Sequence, residues 1–260
     1  MLIHFHPRRT SLAAALAVAL ASAFPLQSNA AIAYTNNFEA NTTGFSAGTQ
    51  NLLPTDAGGF ASANRSNYLG LFAGTSSTTL SLTGLSAGTT YDLDFDLFAG
   101  RSLDGSSTIA GPDTFRLQFG ATSLVDATFN NLLPADGILN NFTQTYSDAT
   151  PTGGGAFAPY TGADVSVQTG DIFSRYGIYY FGHGAGNPQL TFTATAPTAT
   201  LTFSALGLQD ASDEFFDIDN VVITSVDVPS NGRVPDSGLT VVLFGIALLA
   251  MAFFRRLVVA

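Results

Sequence analysis

The feature that most constrains the fold is a strict alternation of apolar and acidic residues in Tyr91-Asp92-Leu93-Asp94-Phe95-Asp96-Leu97. Because successive side chains of a β-strand point to opposite faces, this order places four apolar side chains on one face and three aspartates on the other. One face of such a strand packs on a core while the other meets solvent, as in antiparallel sheets. The pattern therefore predicts a half-buried strand near the middle of the chain.

Short runs rich in Thr, Phe and Val recur along the chain between Gly, Asn and Pro turns, and helix signals are nearly absent. This pattern is typical of a β-sandwich. The other predicted strands are Thr79–Thr83, Phe115–Phe119, Ser123–Phe129, Gly177–Phe181, Leu190–Ala194 and Thr200–Ala205. We interpret the loop-rich stretch 130–170 as a long excursion from the same domain. We expect a single all-β sandwich of the jelly-roll type, like that of a carbohydrate-binding module, over residues 31–226.

The last predicted strand, residues 215–226, contains a break in its alternation. Phe216 and Ile218 share one face, but the next apolar residue, Val221, comes three positions later. The alternation therefore slips by one residue at Asp219-Asn220, and a β-bulge there would restore the core face to both halves. Because bulges often lie beside functional sites, Asp219 becomes a candidate ligand; the alternative is that it only fills the turn.

The N-terminus has the three parts of a secretory signal peptide. Arg8-Arg9 form the basic region, Leu12 to Phe24 form the apolar region, and Ser28-Asn29-Ala30 is a small-x-small cleavage site. Residues 1–30 are therefore interpreted as a signal peptide that is cleaved between Ala30 and Ala31. Export follows from this interpretation.

The C-terminus carries a second targeting segment, residues 234–260, after a short linker at 227–233. Its uncharged apolar run, residues 239–254, would span about 24 Å as a helix, which is a short membrane crossing. Arg255 and Arg256 follow directly, and such a basic pair stays on the cytoplasmic side. The sequence thus predicts a transmembrane helix with the preceding domain outside the inner membrane.

The order of motif, span and arginine pair resembles the VPDSG variant of the PEP-CTERM sorting signal. The motif itself consists of Val234, Pro235, Asp236, Ser237 and Gly238. The resemblance implies transient anchoring in the inner membrane and processing by an exosortase-like enzyme. Such signals are used by bacteria that make exopolysaccharide, so the resemblance also implies exopolysaccharide as a partner. The implied final location is the cell envelope, the surface or the extracellular matrix.

Several segments of the exported chain are similar to secreted bacterial β-sandwich proteins of this sorting class. The segments are Phe38-Glu39, Phe95-Asp96-Leu97, Ser102-Leu103-Asp104-Gly105, Gly111-Pro112-Asp113-Thr114-Phe115, Tyr160-Thr161-Gly162-Ala163, Gly207-Leu208-Gln209, Asp213-Glu214 and Ile218-Asp219-Asn220-Val221. The family has tryptophans where Leu103 and Phe215-Phe216 stand here. The resemblance implies a fold and a location, and no reaction.

The composition limits which partners and metal ions the chain is expected to bind. The net charge of −10 argues against nucleic acid as a partner. The absence of Cys excludes disulfides. His183 is the one histidine beyond the signal peptide, and a histidine-based zinc site needs more ligands than one histidine. Calcium is the cofactor that the acidic residues suit, because it prefers carboxylate and carbonyl oxygens. The candidate ligands are Glu39, Asp104, Asp113, Asp213, Glu214 and Asp219; the alternative for each is ordinary turn chemistry.

Three functions remain open at this level. The first is a non-enzymatic matrix or adhesion protein that binds polysaccharide, with Tyr176, Tyr179 and Tyr180 as candidates for stacking on sugar rings. The second is a secreted glycan hydrolase that uses a pair of carboxylates, although no catalytic residue can be named. The third is a structural surface protein without a ligand. We expect the first, and hence no enzyme.

Overall fold

The computed structural model describes residues 30–46, 51–52, 67–137, 143–183 and 186–226. The signal peptide predicted over 1–30 lies outside these residues except for Ala30, and the linker and sorting segment predicted over 227–260 lie wholly outside them. Among the described residues, no helix combines the length and the apolar character that a membrane crossing requires.

Twelve strands and two short 3-10 helices make up the described part of the chain. The strands are β1 Ile32–Asn36, β2 Asn51–Leu52, β3 Leu69–Phe72, β4 Ser76–Thr83, β5 Thr90–Arg101, β6 Thr114–Phe119, β7 Thr122–Thr128, β8 Val165–Val167, β9 Tyr176–Phe181, β10 Leu190–Thr193, β11 Thr198–Leu206 and β12 Glu214–Ser225. The 3-10 helices cover Pro134–Asp136 and Ile172–Ser174. Each strand predicted from alternation is present, which confirms the all-β class.

The strands form two antiparallel sheets. The larger sheet has the order β2-β3-β12-β5-β9-β8, with β1 paired to β12 and β10 paired to β5. The smaller sheet has the order β4-β11-β6-β7. The chain crosses between the two sheets repeatedly, at the β3–β4, β4–β5, β5–β6, β7–β8, β10–β11 and β11–β12 connections. The two-sheet architecture is confirmed, while the jelly-roll type of connection stays a prediction.

The core lies on the inward faces of the two sheets and is rich in phenylalanine. Phe95 of β5 stacks on Phe181 of β9 with ring centroids 4.7 Å apart, and it meets Phe203 of β11 edge-to-face at 5.7 Å. All three side chains are fully buried. With no cysteine in the chain, this apolar packing holds the two sheets together.

The bulge predicted in the last strand is present. Asp219 pairs with Asp96 of β5, but the next pair is Val222 with Asp94, so β12 has one extra residue over this interval. Asn220 takes a positive φ of 51°, a conformation that asparagine tolerates better than most residues. Both halves of β12 consequently keep their apolar side chains in the core.

Candidate metal centre

Three acidic side chains converge at one place in the sandwich. Asp104, Asp113 and Glu214 each offer one carboxylate oxygen, and these oxygens all lie within 4.8 Å of one another. Asp113 and Glu214 are 0% exposed, and Asp104 is 7% exposed. Among the residues that the structure describes, no other group of this kind occurs.

The topology explains why these three residues meet. Asp104 follows β5 and Asp113 precedes β6, so both belong to the β5–β6 connection, which is called the crossing loop below because it runs from the larger sheet to the smaller one. Glu214 is the first residue of β12 and pairs with Arg101, the last residue of β5. Strand pairing therefore brings the start of β12 to the same end of the sandwich as the crossing loop.

Main-chain hydrogen bonds fix the two aspartates of this loop. The amide of Asp113 donates to the carbonyl of Gly105 at 3.0 Å, and the amide of Phe129 donates to the carbonyl of Asp113 at 3.1 Å. The amide of Asp104 donates to Oδ2 of Asp113. Gly105 has a φ of 64°, and a Cβ there would lie 2.2 Å from the carbonyl oxygen of Thr143, so the loop requires glycine at this position.

No positive side chain of the described residues neutralises the cluster. Oδ1 of Asp113 and Oε2 of Glu214 are buried and accept no hydrogen bond in the described part of the chain. Arg101 lies across the strand pair from Glu214, but its guanidinium donates to the carbonyl of Ser212 and lies over the ring of Phe215. The pair of buried carboxylates thus lacks the compensation that buried charge requires.

The electrostatics follow from this burial. Desolvation raises the pKa of Asp113 above that of an ordinary aspartate. Desolvation also raises the pKa of Glu214, and a hydrogen bond with Asp113 and the charges of Asp113 and Asp104 raise it further. At neutral pH the carboxyls therefore either hold a proton between them or need a cation.

Two polar residues lie at the rim of the group. With its nitrogen turned inward, the side-chain amide of Gln209 donates to Oε1 of Glu214 and, at 3.2 Å, to Oδ2 of Asp213. Turning the amide over presents its oxygen to the same place, where it would offer a neutral ligand to a bound cation. Asp213 in turn accepts a hydrogen bond from the hydroxyl of Ser102 at 2.5 Å.

The donor set decides which metal fits. Three carboxylates and an amide oxygen are hard ligands, and no Cys exists in the chain to favour zinc. Calcium accepts six to eight oxygens in flexible geometry, whereas magnesium keeps several of its waters. The buried, oxygen-only group therefore fits Ca²⁺ better than Mg²⁺ or Zn²⁺.

Comparison with known proteins adds one decisive finding. Residues 233–258 match the VPDSG-CTERM motif. The chain carries a PEP-CTERM-like sorting signal. This confirms the resemblance of the C-terminal segment, and a signal of this kind indicates a secreted protein that is directed to the cell surface.

The same comparisons give little else about the domain. No curated protein matches this chain. A similar solved structure is the K3 cleaved adhesin domain of Lys-gingipain from Porphyromonas gingivalis w83, at 16% identity and a TM-score of 0.35. The match covers 75% of this chain and 100% of that domain.

Of the six acidic candidates, the structure brings Asp104, Asp113 and Glu214 together. Asp213 is a neighbour of this group and not a member of it. Asp104 and Asp113 share one loop, but Glu214 begins a strand far from it in sequence, so spacing along the chain could not have added Glu214 to the two aspartates. Gln209 was missed as a neutral candidate, because an amide gives no signal in a search for acidic residues.

Two candidates lie elsewhere, and their predicted role as ligands is wrong for this group. Oε1 of Glu39 accepts a hydrogen bond from the amide of Asn67 at 2.7 Å. Oδ1 of Asp219 accepts one from the amide of Asn220 at 2.7 Å, inside the bulge. Among the described residues Glu39 and Asp219 join no metal group, because the crossing loop and not the bulge gathers the carboxylates.

The three tyrosines divide between the two faces of β9. Tyr179 is fully buried and packs on Phe129 and Tyr146 in the core, so its predicted role in sugar stacking is wrong. Tyr176 stacks on Phe98 with centroids 5.0 Å apart. Tyr176 and Tyr180 both lie half-buried on the outer face of the larger sheet, and sugar stacking stays a prediction for these two.

Proposed function

We propose that the protein is a non-enzymatic component of the bacterial cell surface or extracellular matrix, with a β-sandwich stabilised by calcium. The observation that carries this proposal is the burial of the acidic group found among the described residues. Asp104, Asp113 and Glu214 are buried at the junction of the two sheets, and they join a crossing loop to the last strand. A cation there links segments far apart in sequence.

The burial of the group also separates this proposal from hydrolysis. A glycosidase places two carboxyls on either side of a sugar bond, with space between them for the substrate and, in inverting enzymes, for water. Asp113 and Glu214 are fully buried, so a polysaccharide cannot reach them. A role in holding the fold agrees with this position, and a catalytic role does not.

The sorting signal gives the second half of the proposal. A PEP-CTERM-like segment at residues 233–258 supports processing by an exosortase-like enzyme after export. The apolar residues 239–254 would hold the protein in the inner membrane until then. The released domain would act outside the cell as a polysaccharide-binding component of the matrix.

The test of this location uses two forms of the gene in an exopolysaccharide-producing host. One form encodes the whole chain, and the other ends before Val234. We expect the whole chain to fractionate with the envelope or matrix and the shortened chain to appear in the medium. Equal retention of both forms in the envelope would show that the C-terminal segment does not direct sorting.

A host that lacks its exosortase-like enzyme provides the matched control. The whole chain should then accumulate at its unprocessed length in the inner membrane. Processing that continues unchanged in this host would exclude an exosortase-like partner while leaving export itself intact.

A further inference from the structure

A second polar cluster lies on the outer face of the larger sheet, away from the acidic group. Its centre is Asp96 of β5, whose two carboxylate oxygens are both engaged. Nε2 of His183 lies 2.7 Å from Oδ1, and Nδ2 of Asn220 donates to Oδ2 at 2.8 Å. The carboxylate is therefore fixed in orientation from two sides.

An aromatic surface adjoins this carboxylate. Tyr180 lies directly across from Asp96 in the pairing of β9 with β5. The ring of Tyr180 stacks on the ring of His183, with centroids 4.9 Å apart and an interplanar angle of 28°. The imidazole is about two-fifths exposed, so the stacked pair presents ring surface to solvent.

The local backbone holds these groups in place. Asn220 occupies the bulge of β12, and its positive φ accompanies the turn of its amide toward Asp96. On the other side, Asn187 donates to the carbonyl of His183 at 2.7 Å and to Oδ1 of Asp164 at 3.3 Å. The amide of Tyr180 donates to the other oxygen of Asp164 at 2.8 Å. The cluster is thus organised before any ligand arrives.

We propose that this outer-face cluster, formed by Tyr180, His183, Asp96 and Asn220, binds a neutral sugar unit of a polysaccharide. A pyranose ring presents C–H bonds on its faces, which suit an aromatic surface, and hydroxyls at its edge. Asn220 uses one of its two N–H donors on Asp96, which leaves the other N–H and the amide oxygen for hydroxyls. The lone pairs of the Asp96 carboxylate accept further hydroxyl hydrogens.

Charge selects among the glycans. Asp94 and Asp92 lie on the same face of β5, and Asp164 lies beside Tyr180, so the surroundings are acidic. Each arginine in the described residues is engaged elsewhere, and these are Arg101, Arg116 and Arg175. A polyuronate would be repelled by these carboxylates, whereas a neutral glycan would not. This inference rests on the proposed matrix function and gives it a site.

The experiment is affinity electrophoresis of the full-length protein in a mild detergent with calcium present. The gels contain neutral polymers (dextran, mannan or a galactomannan) or the polyuronate alginate. We expect at least one neutral polymer to retard the wild-type protein, and alginate to leave its mobility unchanged. Tyr180→Leu and Asn220→Ala should each weaken retardation by about tenfold or more, as apparent dissociation constants.

The control is Asp92→Asn, which removes the same kind of charge from the same strand face four residues away from Asp96. It should retain wild-type retardation, and melting curves of all variants identify any that fail to fold. Tyr180→Leu changes packing, whereas Asn220→Ala changes the bulge. If both variants lose retardation, the loss cannot be due to a structural defect that only one of them has.

The outcomes separate the site from the function. Retardation that survives both substitutions in folded variants would overturn this site and leave the matrix function standing. Retardation by alginate and not by neutral polymers would overturn the assigned ligand class. A wild-type protein that no neutral polymer retards would overturn the proposal, although surface sorting would be unaffected because it is measured separately by fractionation.

Discussion

Asp113 and Glu214 lie side by side and fully buried, each with a carboxylate oxygen that accepts no hydrogen bond within the described residues. One belongs to the loop that leaves the larger sheet, and the other begins the strand that returns to it. Their proximity is the feature around which calcium binding is proposed. It also makes the protein sensitive to any change in the charge of either residue.

The substitution Glu214→Gln separates a metal site from an ordinary buried pair. In a chelator, we expect Gln to stabilise the fold by about 1 kcal/mol or more, because a neutral amide needs neither a proton nor a cation to be buried beside Asp113. That gain corresponds to a rise of roughly 2–4 °C in Tm for a domain of this size. Calcium should then give little or no further stabilisation.

Glu39→Gln is the matched control, since Glu39 is the other glutamate of the chain and lies on the surface. It should leave both the Tm in chelator and the response to calcium unchanged. If Glu214→Gln lowers the Tm in chelator and keeps the full calcium response, the carboxylate is not a ligand.

A second prediction concerns pH in the absence of metal. The pKa values of Asp113 and Glu214 are raised in the folded state, mainly by burial. Between the ordinary carboxyl pKa of about 4 and these raised values, the folded state binds more protons than the unfolded state. Stability in chelator should therefore fall as the pH rises through this interval.

Calcium should oppose this fall, because it binds the deprotonated carboxylates and its affinity increases with pH. Chemical unfolding at about pH 5 and about pH 8, with calcium or with chelator, measures the effect. Glu214→Gln controls for the general repulsion of an acidic protein and should show the shallower slope in chelator. A wild-type slope no steeper than that of the variant would contradict the prediction.

A third prediction concerns the ion pair of Arg175 with Asp136. Nη1 and Nη2 contact the two carboxylate oxygens at 2.6 and 2.8 Å, and the side chains are 8% and 9% exposed. Arg175→Met removes the cation from a carboxylate that then keeps only the hydrogen bond from the amide of Leu133, which costs about 3 kcal/mol. The expected drop in Tm is roughly 6–12 °C.

The pair of Arg116 and Asp126 provides the comparison, since its side chains are 37% and 31% exposed. Arg116→Met should cost about 1 kcal/mol or less, because solvent screens this pair. The hydrogen bond from Arg175 lowers the pKa of Asp136. The stabilisation of the folded state by this ion pair is therefore fully present above the ordinary aspartate pKa, and it is lost as the pH falls through the lowered value. Equal costs for the two substitutions would refute the distinction.

The strands could be predicted from the sequence because the alternation of apolar and polar residues indicates directly which face of a strand is buried. The same reasoning located the bulge at Asp219-Asn220, since only an inserted residue keeps Ile218 and Val221 in one core. For Tyr179 and Tyr180, alternation showed that they face opposite ways. It did not indicate which one faces inward, because that depends on how β9 pairs with β5.

The members of the metal group were harder to predict from the sequence. Acidic residues mark loops and turns everywhere in this chain, so composition suggested six candidates and could not choose among them. The choice depends on the pairing of β12 with β5, which places Glu214 beside the crossing loop and leaves Glu39 and Asp219 elsewhere. Pairing over such a separation has no local signal in the sequence.

The measurement that tests the central claim most directly is the melting of the wild-type chain from Ala31 to Val226 with calcium, with magnesium and with chelator. A ligand that binds only the folded state at a hundredfold excess over its Kd stabilises it by about 2.7 kcal/mol. We therefore predict that calcium raises the Tm by roughly 5–10 °C over chelator, while magnesium has little effect. Identical melting curves in all three conditions would contradict a calcium centre at Asp104, Asp113 and Glu214.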